Sequence, residues 1–115
     1  MHHLSSFVEN DLDAVISDYT DESILITPDS IYMGPAEIRA FFVGLMVHFP
    51  KGQSSFELDK IVAKDEMVYI VWHAKTPSVT VPLASDTFVL RGGKIHQQTF
   101  IGEFEYTDQQ SSKRA

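Results

Sequence analysis

The sequence SDTFVLRGGKIHQQTF, residues 85–100, decides the fold, because it encodes two β-strands joined by a tight turn. Gly92-Gly93 between two runs rich in β-branched and aromatic residues is a strong hairpin signal. Alternate residues of a strand share a face, so Asp86 shares its face with Phe88 and Leu90. A carboxyl group in apolar company is either paired or shifted in its pKa. The hairpin therefore predicts a carboxyl group that points toward the core or a pocket.

Regular pairing on both sides of this turn places Asp86 opposite Thr99. Gln98 and Phe100 are then its diagonal neighbours, within reach of its side chain. Asp86 is accordingly either a pocket carboxyl group that binds or polarises a ligand oxygen, or a carboxylate paired with the neighbouring strand. Gln98 either orients a ligand carbonyl group or bonds to Asp86 as a structural pair.

Size and composition limit the classes of function. A chain of 115 residues with 43% hydrophobic and 22% charged residues predicts one globular domain. The net charge of −7 disfavours a nucleic-acid partner, which needs a basic surface. The absence of cysteine excludes disulfides, thiol nucleophiles and thiolate metal sites. No apolar run approaches the roughly 18 residues of a membrane span, and no signal peptide is apparent, so we expect a cytoplasmic protein without a membrane partner.

The chain places its helical segments first and its strands later. Apolar residues at helical spacing predict a helix that starts near Leu12 and stops near Tyr19, and another over residues 35–49. Such an order predicts an α+β domain at residues 1–108, with helices on one face of an antiparallel sheet, followed by a polar tail at 109–115. The predicted strands are residues 23–27, 31–33, 55–63, 67–75, 79–91 and 94–106.

Six segments follow one another in a characteristic order: DLDAV (11–15), YTDES (19–23), ILITP (24–28), GPAEIRAFF (34–42), DTFV (86–89) and GKI (93–95). This order of local sequences resembles the nuclear transport factor two-like superfamily, and within it the SnoaL-like and ketosteroid isomerase-like proteins. The resemblance implies a cone-shaped fold, in which N-terminal helices pack on a strongly curved antiparallel β-sheet and enclose a pocket. It also implies a small apolar or amphipathic ligand, and a homodimer formed through the outer face of the sheet.

The comparison with the isomerases is mixed at the level of single residues. Their general-base aspartate precedes a proline at the end of the first strand, where this chain has Thr27, which cannot abstract a proton at neutral pH. Their oxyanion-hole tyrosine falls at His3. Their second oxyanion donor, a protonated aspartate, has its counterpart in Asp86, and such an acid works because an apolar site keeps it neutral. The resemblance therefore argues against steroid isomerisation and leaves a pocket with one tuned acid.

Val71-Trp72-His73 leaves two alternatives, because neighbouring residues of a strand face opposite sides. If the face of Trp72 is concave, Trp72 lines the pocket and His73 lies on the dimer face. In the reverse case His73 is the best general base of the chain. Tyr19 is either a core residue or a ligand contact, and Phe42 is a core residue that can also form a pocket wall.

From these considerations we predict a small-molecule-binding protein or a cofactor-free enzyme of the isomerase, cyclase or hydratase type, acting on a small hydrophobic carbonyl compound. The alternative is a non-catalytic association module with a vestigial pocket. We expect neither a metal nor a cofactor. The predicted catalytic residues are Asp86 and His73, and the predicted substrate-binding residues are Tyr19, Thr27, Phe42, Trp72, Gln98 and Phe100.

Overall fold

The computed structural model describes residues 2–107 and 111–114 of the chain. Within these residues, the helices precede most of the strands, as the sequence predicts. The helices are α1 (His2–Val8), α2 (Leu12–Ile16) and α3 (Gly34–Met46). The strands are β1 (Tyr19–Ile26), β2 (Ile31–Met33), β3 (Ser55–Lys64), β4 (Met67–Lys75), β5 (Val79–Arg91), β6 (Lys94–Tyr106) and β7 (Ser111–Arg114).

The strands form one open sheet in the order β2-β1-β6-β5-β4-β3. The long strands β3 to β6 are an antiparallel meander, and β4, β5 and β6 have the bounds predicted from the sequence. β1 runs parallel to β6, so the sheet is mixed rather than purely antiparallel. The helices pack on one side of this sheet, which confirms the predicted α+β architecture.

The predicted polar tail lies only partly within the described residues. Residues 111–114 form β7, which pairs antiparallel with β6, whereas residues 109, 110 and 115 lie outside the described part of the chain. No helix in the described residues is long and apolar enough to cross a membrane.

The register of the central hairpin corrects the sequence prediction. Leu90 pairs with Ile95, but Val89 pairs with Gln97, so His96 is an extra residue in β6. This β-bulge shifts the pairs from Val89 with Gln97 to Leu83 with Glu103 by one position and places Asp86 opposite Phe100 rather than Thr99. As a consequence, the even-numbered residues that follow in β6, beginning with Gln98, share the inner face with Asp86.

The second helix ends earlier than its apolar spacing predicts. α2 ends at Ile16, and Tyr19 opens β1, where it pairs with Ile95. The chain leaves the helix because β6 binds it: Ile95 N donates to Asp18 O at 2.7 Å, and Lys94 Nζ donates to Ser17 O at 2.7 Å. Strand pairing therefore overrides the helical spacing of Tyr19, which is buried at the strand position as well.

Asn10 fixes α1 against the end of α3. It has a left-handed backbone with φ 55°, a conformation that asparagine tolerates better than most residues. Its side-chain amide donates to Met46 O at 2.8 Å and to Phe49 O at 2.7 Å. These bonds satisfy carbonyl groups near the C-terminal end of α3 and hold α1 across the inner face of the sheet.

Aromatic rings fill most of the core between the helices and the sheet. Phe42 of α3 and Phe49 after it are buried, as are Phe88, Phe100 and Phe104 of the sheet. Gly102 lies between Phe100 and Phe104 in β6, opposite Ala84 of β5.

Gly102 has no side chain, and the rings of Phe100 and Phe104 occupy the space where a side chain would lie. A Cβ atom at Gly102 would lie 2.8 Å from Phe104 Cε1 and 3.2 Å from Ala84 Cβ. We expect Gly102→Ala to lower the free energy of unfolding by about 1–3 kcal/mol, because buried rings must move to admit the methyl group. Urea denaturation of the variant and the wild type measures this difference.

Gly44 provides the matched control. It lies inside α3, and a Cβ atom there meets nothing within 4 Å. Gly44→Ala should therefore stabilise the protein by about 0.5–1 kcal/mol through the higher helix propensity of alanine. A Gly102→Ala variant that gains stability in the same way would contradict the packing described for β6.

Candidate functional site

A cavity of about 550 Å³ lies between the helices α1 and α3 and the inner face of strands β3 to β6. Its apolar wall comes mainly from phenylalanine rings and branched side chains: Leu4, Phe7, Val8, Phe41, Phe42, Leu45, Phe56, Leu58, Ile70, Phe88 and Phe100. Its polar wall consists of His3, Ser5, Glu9, Glu57, Trp72, Asp86 and Gln98. The cavity is thus mainly apolar, with a few polar side chains.

Asp86 sits in this wall and is held by one donor on each carboxyl oxygen. Trp72 Nε1 donates to Asp86 Oδ1 at 2.8 Å, and Gln98 Nε2 donates to Asp86 Oδ2 at 2.8 Å. The three residues come from the adjacent strands β4, β5 and β6. The bulge at His96 places the Gln98 side chain on the same face of the sheet as Asp86. Asp86 is only 7% exposed; its hydrogen bond with Gln98 is buried, and the bond with Trp72 is partly buried.

The surroundings of Asp86 shift its acidity. Burial raises the pKa of Asp86 to about 6, although the hydrogen bonds from Trp72 and Gln98 and the proximity of His3 act in the lowering direction. A carboxyl group with a pKa near the working pH can both accept and return a proton, which is the property that general acid–base catalysis requires.

Behind Gln98, a chain of polar groups leads to the N-terminal helix. The Tyr19 hydroxyl group donates to Gln98 Oε1 and lies 3.5 Å from His3 Nε2. Burial, and then the nearby carboxylates of Asp86 and Asp18, raise the pKa of Tyr19 well above its usual range, so the hydroxyl group keeps its proton. This arrangement fixes the orientation of the Gln98 amide, which then presents Nε2 to Asp86.

Asp18 anchors the other end of this chain. His3 Nδ1 lies 3.4 Å from Asp18 Oδ2 without a well-aligned hydrogen bond, and His2 Nδ1 lies 2.7 Å from Asp18 Oδ1. Burial would raise the pKa of Asp18, but the proximity and charges of His3 and His2 outweigh burial and lower the pKa. The carboxylate therefore ties α1 to the start of β1.

Five of the predicted site residues meet in the cavity wall: Asp86, Trp72, Gln98, Phe42 and Phe100. The Trp72 and Phe100 rings stack, with centroids 6.3 Å apart and an interplanar angle of 17°. Tyr19 is buried behind the wall, where it contacts Gln98 rather than the cavity itself. Of the two alternatives for β4, the structure therefore has Trp72 on the cavity side.

The structure does not bring His73 or Thr27 into the cavity wall. The His73 side chain is 46% exposed and forms an ion pair with Asp59, with 2.7 Å between Nδ1 and Oδ2, and the hydrogen bond to Asp59 raises the pKa of His73. Thr27 caps the turn between β1 and β2, where its hydroxyl oxygen accepts from the backbone N–H groups of Asp29 and Ser30. Neither side chain approaches Asp86 in this arrangement.

Sequence reasoning missed His3 as a cavity residue. His3 is 5% exposed and makes edge-on ring contacts with Tyr19, Phe42 and Phe88. The signal that could have found it was its position, which corresponds to the oxyanion-hole tyrosine of the isomerases. The described residues contain no group of three or more histidine, aspartate or glutamate side chains placed to hold a metal ion.

Comparisons with known proteins identify the family and the fold. The family model described as a SnoaL-like domain matches residues 2–98. No curated protein matches the chain with significant similarity.

Solved structures with the same architecture support the cone-shaped α+β fold. A protein from Kribbella flavida has 14% identity and a TM-score of 0.77, over 88% of this chain and 80% of that chain. A candidate polyketide cyclase from Sinorhizobium meliloti has 13% identity and a TM-score of 0.71, over 86% and 89%. A candidate ketosteroid isomerase from Kribbella flavida has 9% identity and a TM-score of 0.69, over 88% and 72%. At these identities the likeness shows the fold alone.

The raised pKa of Asp86 predicts how stability depends on pH. Its pKa of about 6 in the folded chain lies above the usual 3.8, so folding favours the protonated form. This contribution to stability is fully present below about pH 4 and is lost as the pH rises through about 6. Between pH 4 and 7.5 we expect the free energy of unfolding of the wild type to fall by about 2–3 kcal/mol relative to Asp86→Asn, which has no such proton to lose.

Urea denaturation of both proteins at several pH values measures this difference. Asp29→Asn, at an exposed position in the β1–β2 turn, is the control and should follow the wild type in this pH range. If the free energy of unfolding of the wild type, measured relative to Asp86→Asn, stays constant or rises between pH 4 and 7.5, the raised pKa is contradicted.

Proposed function

The chain belongs to the SnoaL-like domain family, and from this membership and its cavity we propose that it binds a small, largely apolar carbonyl compound and acts on it by proton transfer through Asp86. The observation that carries the proposal is the carboxyl group of Asp86, buried in the wall of an apolar cavity with a pKa of about 6. The reaction class is a cofactor-free isomerisation, cyclisation or hydration.

The dimensions and lining of the cavity support the binding of a small molecule. A volume of about 550 Å³ falls in the range of roughly 300–1,000 Å³ that small-molecule sites occupy. Such sites combine an apolar wall with a few placed polar groups, and Asp86 and Gln98 supply them here. The names of two proteins of the same fold, a candidate polyketide cyclase and a candidate ketosteroid isomerase, point to the same class of ligand.

Asp86 can carry out proton transfer without a cofactor. As a carboxylate it removes a proton from the carbon next to a ligand carbonyl group, and as a carboxylic acid it returns the proton to another position. The hydrogen bonds from Trp72 and Gln98 fix its geometry, so little reorganisation is needed when the ligand binds. Steroid isomerisation itself is disfavoured, because Thr27 and His3 stand where the isomerases have their base and their tyrosine.

Proton exchange on a simple ketone tests this proposal. We expect the protein to accelerate the exchange of the α-protons of 2-tetralone with D₂O, and Asp86→Asn to slow this exchange by about 10²–10⁴-fold, as is typical for the loss of a general base. Proton NMR follows the exchange. Trp72 is the single tryptophan of the chain and lies in the wall, so its fluorescence reports binding separately.

The control for this experiment is Asp29→Asn, which changes an aspartate outside the cavity and should exchange the ketone at the wild-type rate. Equal exchange rates for the wild type and Asp86→Asn would rule out Asp86 as the base. Fluorescence that does not respond to 2-tetralone would rule out this ketone as a ligand.

A second candidate function, association through the sheet, is favoured by a different observation. The outer face of the sheet exposes the large apolar residues Val62, Met67, Tyr69, Leu83 and Ile101, with exposed fractions of 38–55%. Exposed apolar patches of this kind mark interaction sites. We propose that two copies of the chain associate through this face. The dimer is either the form in which the protein binds its ligand, or the main function of an association module whose cavity is vestigial.

Charge substitution on the outer face tests the homodimer. We expect Ile101→Glu to convert a dimer into a monomer, because a carboxylate at the centre of the face would be buried without a partner. Analytical ultracentrifugation of the wild type and the variant measures the association. Val47→Glu, at an exposed apolar residue after α3, is the control and should stay dimeric. A wild type that is monomeric at every concentration would contradict the proposed interface.

A further inference from the structure

We propose that the cavity selects neutral apolar molecules whose polar group is a hydrogen-bond donor, such as a phenolic or enolic hydroxyl group, and that Asp86 accepts the bond. The inference rests on the proposed function, because it specifies which molecules the same cavity takes. It follows from a count of the donors and acceptors that the polar wall leaves open.

Most of the N–H and O–H donors near Asp86 already bond to other residues of the protein. Trp72 has a single indole N–H, and Asp86 Oδ1 receives it. Gln98 directs one amide N–H to Asp86 Oδ2 and keeps the other. The Tyr19 hydroxyl proton goes to Gln98 Oε1, and the two ring nitrogens of His3 face the Tyr19 hydroxyl oxygen and Asp18 Oδ2.

The acceptors of Asp86 are only half used. An ionised carboxylate offers about four lone-pair positions, and the two protein hydrogen bonds occupy one on each oxygen. Because Asp86 lines the cavity, a ligand bound there can donate to the remaining lone-pair positions. A ligand that brings an O–H group, such as a phenol or the enol of a carbonyl compound, satisfies them, whereas an ether oxygen beside Asp86 is repelled because both groups only accept hydrogen bonds.

The charges around the cavity exclude acids. The lining includes Glu9, Glu57 and Asp86, and no lysine or arginine among the described residues lines it. The lysine that pairs with Glu9, Lys51, lies at the surface with Nζ 3.2 Å from Oε2. A ligand carboxylate beside Asp86 would therefore be a second buried negative charge with no lysine or arginine in the described lining to pair with it, which is unfavourable.

A hydroxyl group suits Asp86 better than an ammonium group does. An ammonium group carries three N–H donors, and Asp86 leaves about two lone-pair positions open. The apolar wall near Asp86 includes Ile70, Phe88 and Phe100, none of which can accept a third conventional hydrogen bond. The inference therefore commits to a neutral donor.

Three naphthalenes of similar size test the inference: 2-naphthol as a neutral donor, 2-methoxynaphthalene as an acceptor without a donor, and 2-naphthoate as an anion. The indole N–H of Trp72 gives the only tryptophan side-chain signal in a ¹H–¹⁵N spectrum, and it is bonded to Asp86. Titrations followed on this signal at pH 7.5 give the three dissociation constants. We expect 2-naphthol to bind at least about ten-fold tighter than either of the others, as a hydrogen bond to a charged acceptor provides.

Two further measurements show whether Asp86 is responsible. In Asp86→Asn the advantage of 2-naphthol over 2-methoxynaphthalene should shrink to less than about three-fold, because the charged acceptor is gone. In the wild type the ratio of the dissociation constants of 2-methoxynaphthalene and 2-naphthol should fall at pH 5, because Asp86 is then largely protonated and can itself donate to the methoxy oxygen. The pH measurement needs no substitution, so it decides the question even if the variant does not fold. Asp29→Asn is the control and should keep the wild-type preference.

The outcomes separate this inference from the proposed function. If 2-naphthol and 2-methoxynaphthalene bind equally at pH 7.5, the cavity does take apolar molecules but does not select donors, and only the inference is overturned. Tighter binding of 2-naphthoate overturns it as well. If none of the three moves the Trp72 signal while the protein is folded, the cavity does not take such molecules, and the proposed function falls together with the inference.

Discussion

The two hydrogen bonds on Asp86 are the interaction on which the arrangement of the inner sheet face depends. They join side chains of three adjacent strands, with Trp72 from β4, Asp86 from β5 and Gln98 from β6. A buried carboxylate that loses a donor keeps its full desolvation penalty, so the positions of Trp72 and Gln98 are tightly constrained. The rings around them, including the Phe100 ring stacked on Trp72, pack on a wall that these bonds define.

The same network links the sheet to the N-terminal helix. Gln98 accepts from Tyr19, the Tyr19 hydroxyl group meets His3 of α1, and His3 faces Asp18 at the entrance to β1. In an apolar core a chain of polar groups permits few alternative packings, because a displaced member would lose the partner that offsets its burial. The helix that covers the cavity is therefore oriented by the same groups that orient the acid. This coupling suits a SnoaL-like domain, in which helices and sheet enclose a common space.

The sequence allowed the fold and the centre of the site to be predicted, since their signals are local or follow from the family resemblance. Gly92-Gly93 marks the hairpin, and alternation puts Asp86 beside Phe88. The bulge at His96 could not be predicted in this way, because neither glycine nor proline lies there. It becomes visible only from the register of β5 and β6 in the structure. Tyr19 has helical spacing yet belongs to β1, and His3 joins the wall only once α1 has packed. His73 and Thr27 have suitable chemistry, but strand parity and a local turn direct them elsewhere.

The attachment of α1 through Asn10 has a consequence for how such a protein can diversify. Two side-chain hydrogen bonds from one residue hold this helix against the end of α3, and Leu4, Phe7 and Val8 contribute part of the cavity wall. Replacing these three side chains would change the shape of the cavity without replacing Asp86 on the sheet. Part of the shape of the cavity can thus change through one short stretch of chain that does not contain Asp86, which opens a route to new ligands for evolution or for a designer.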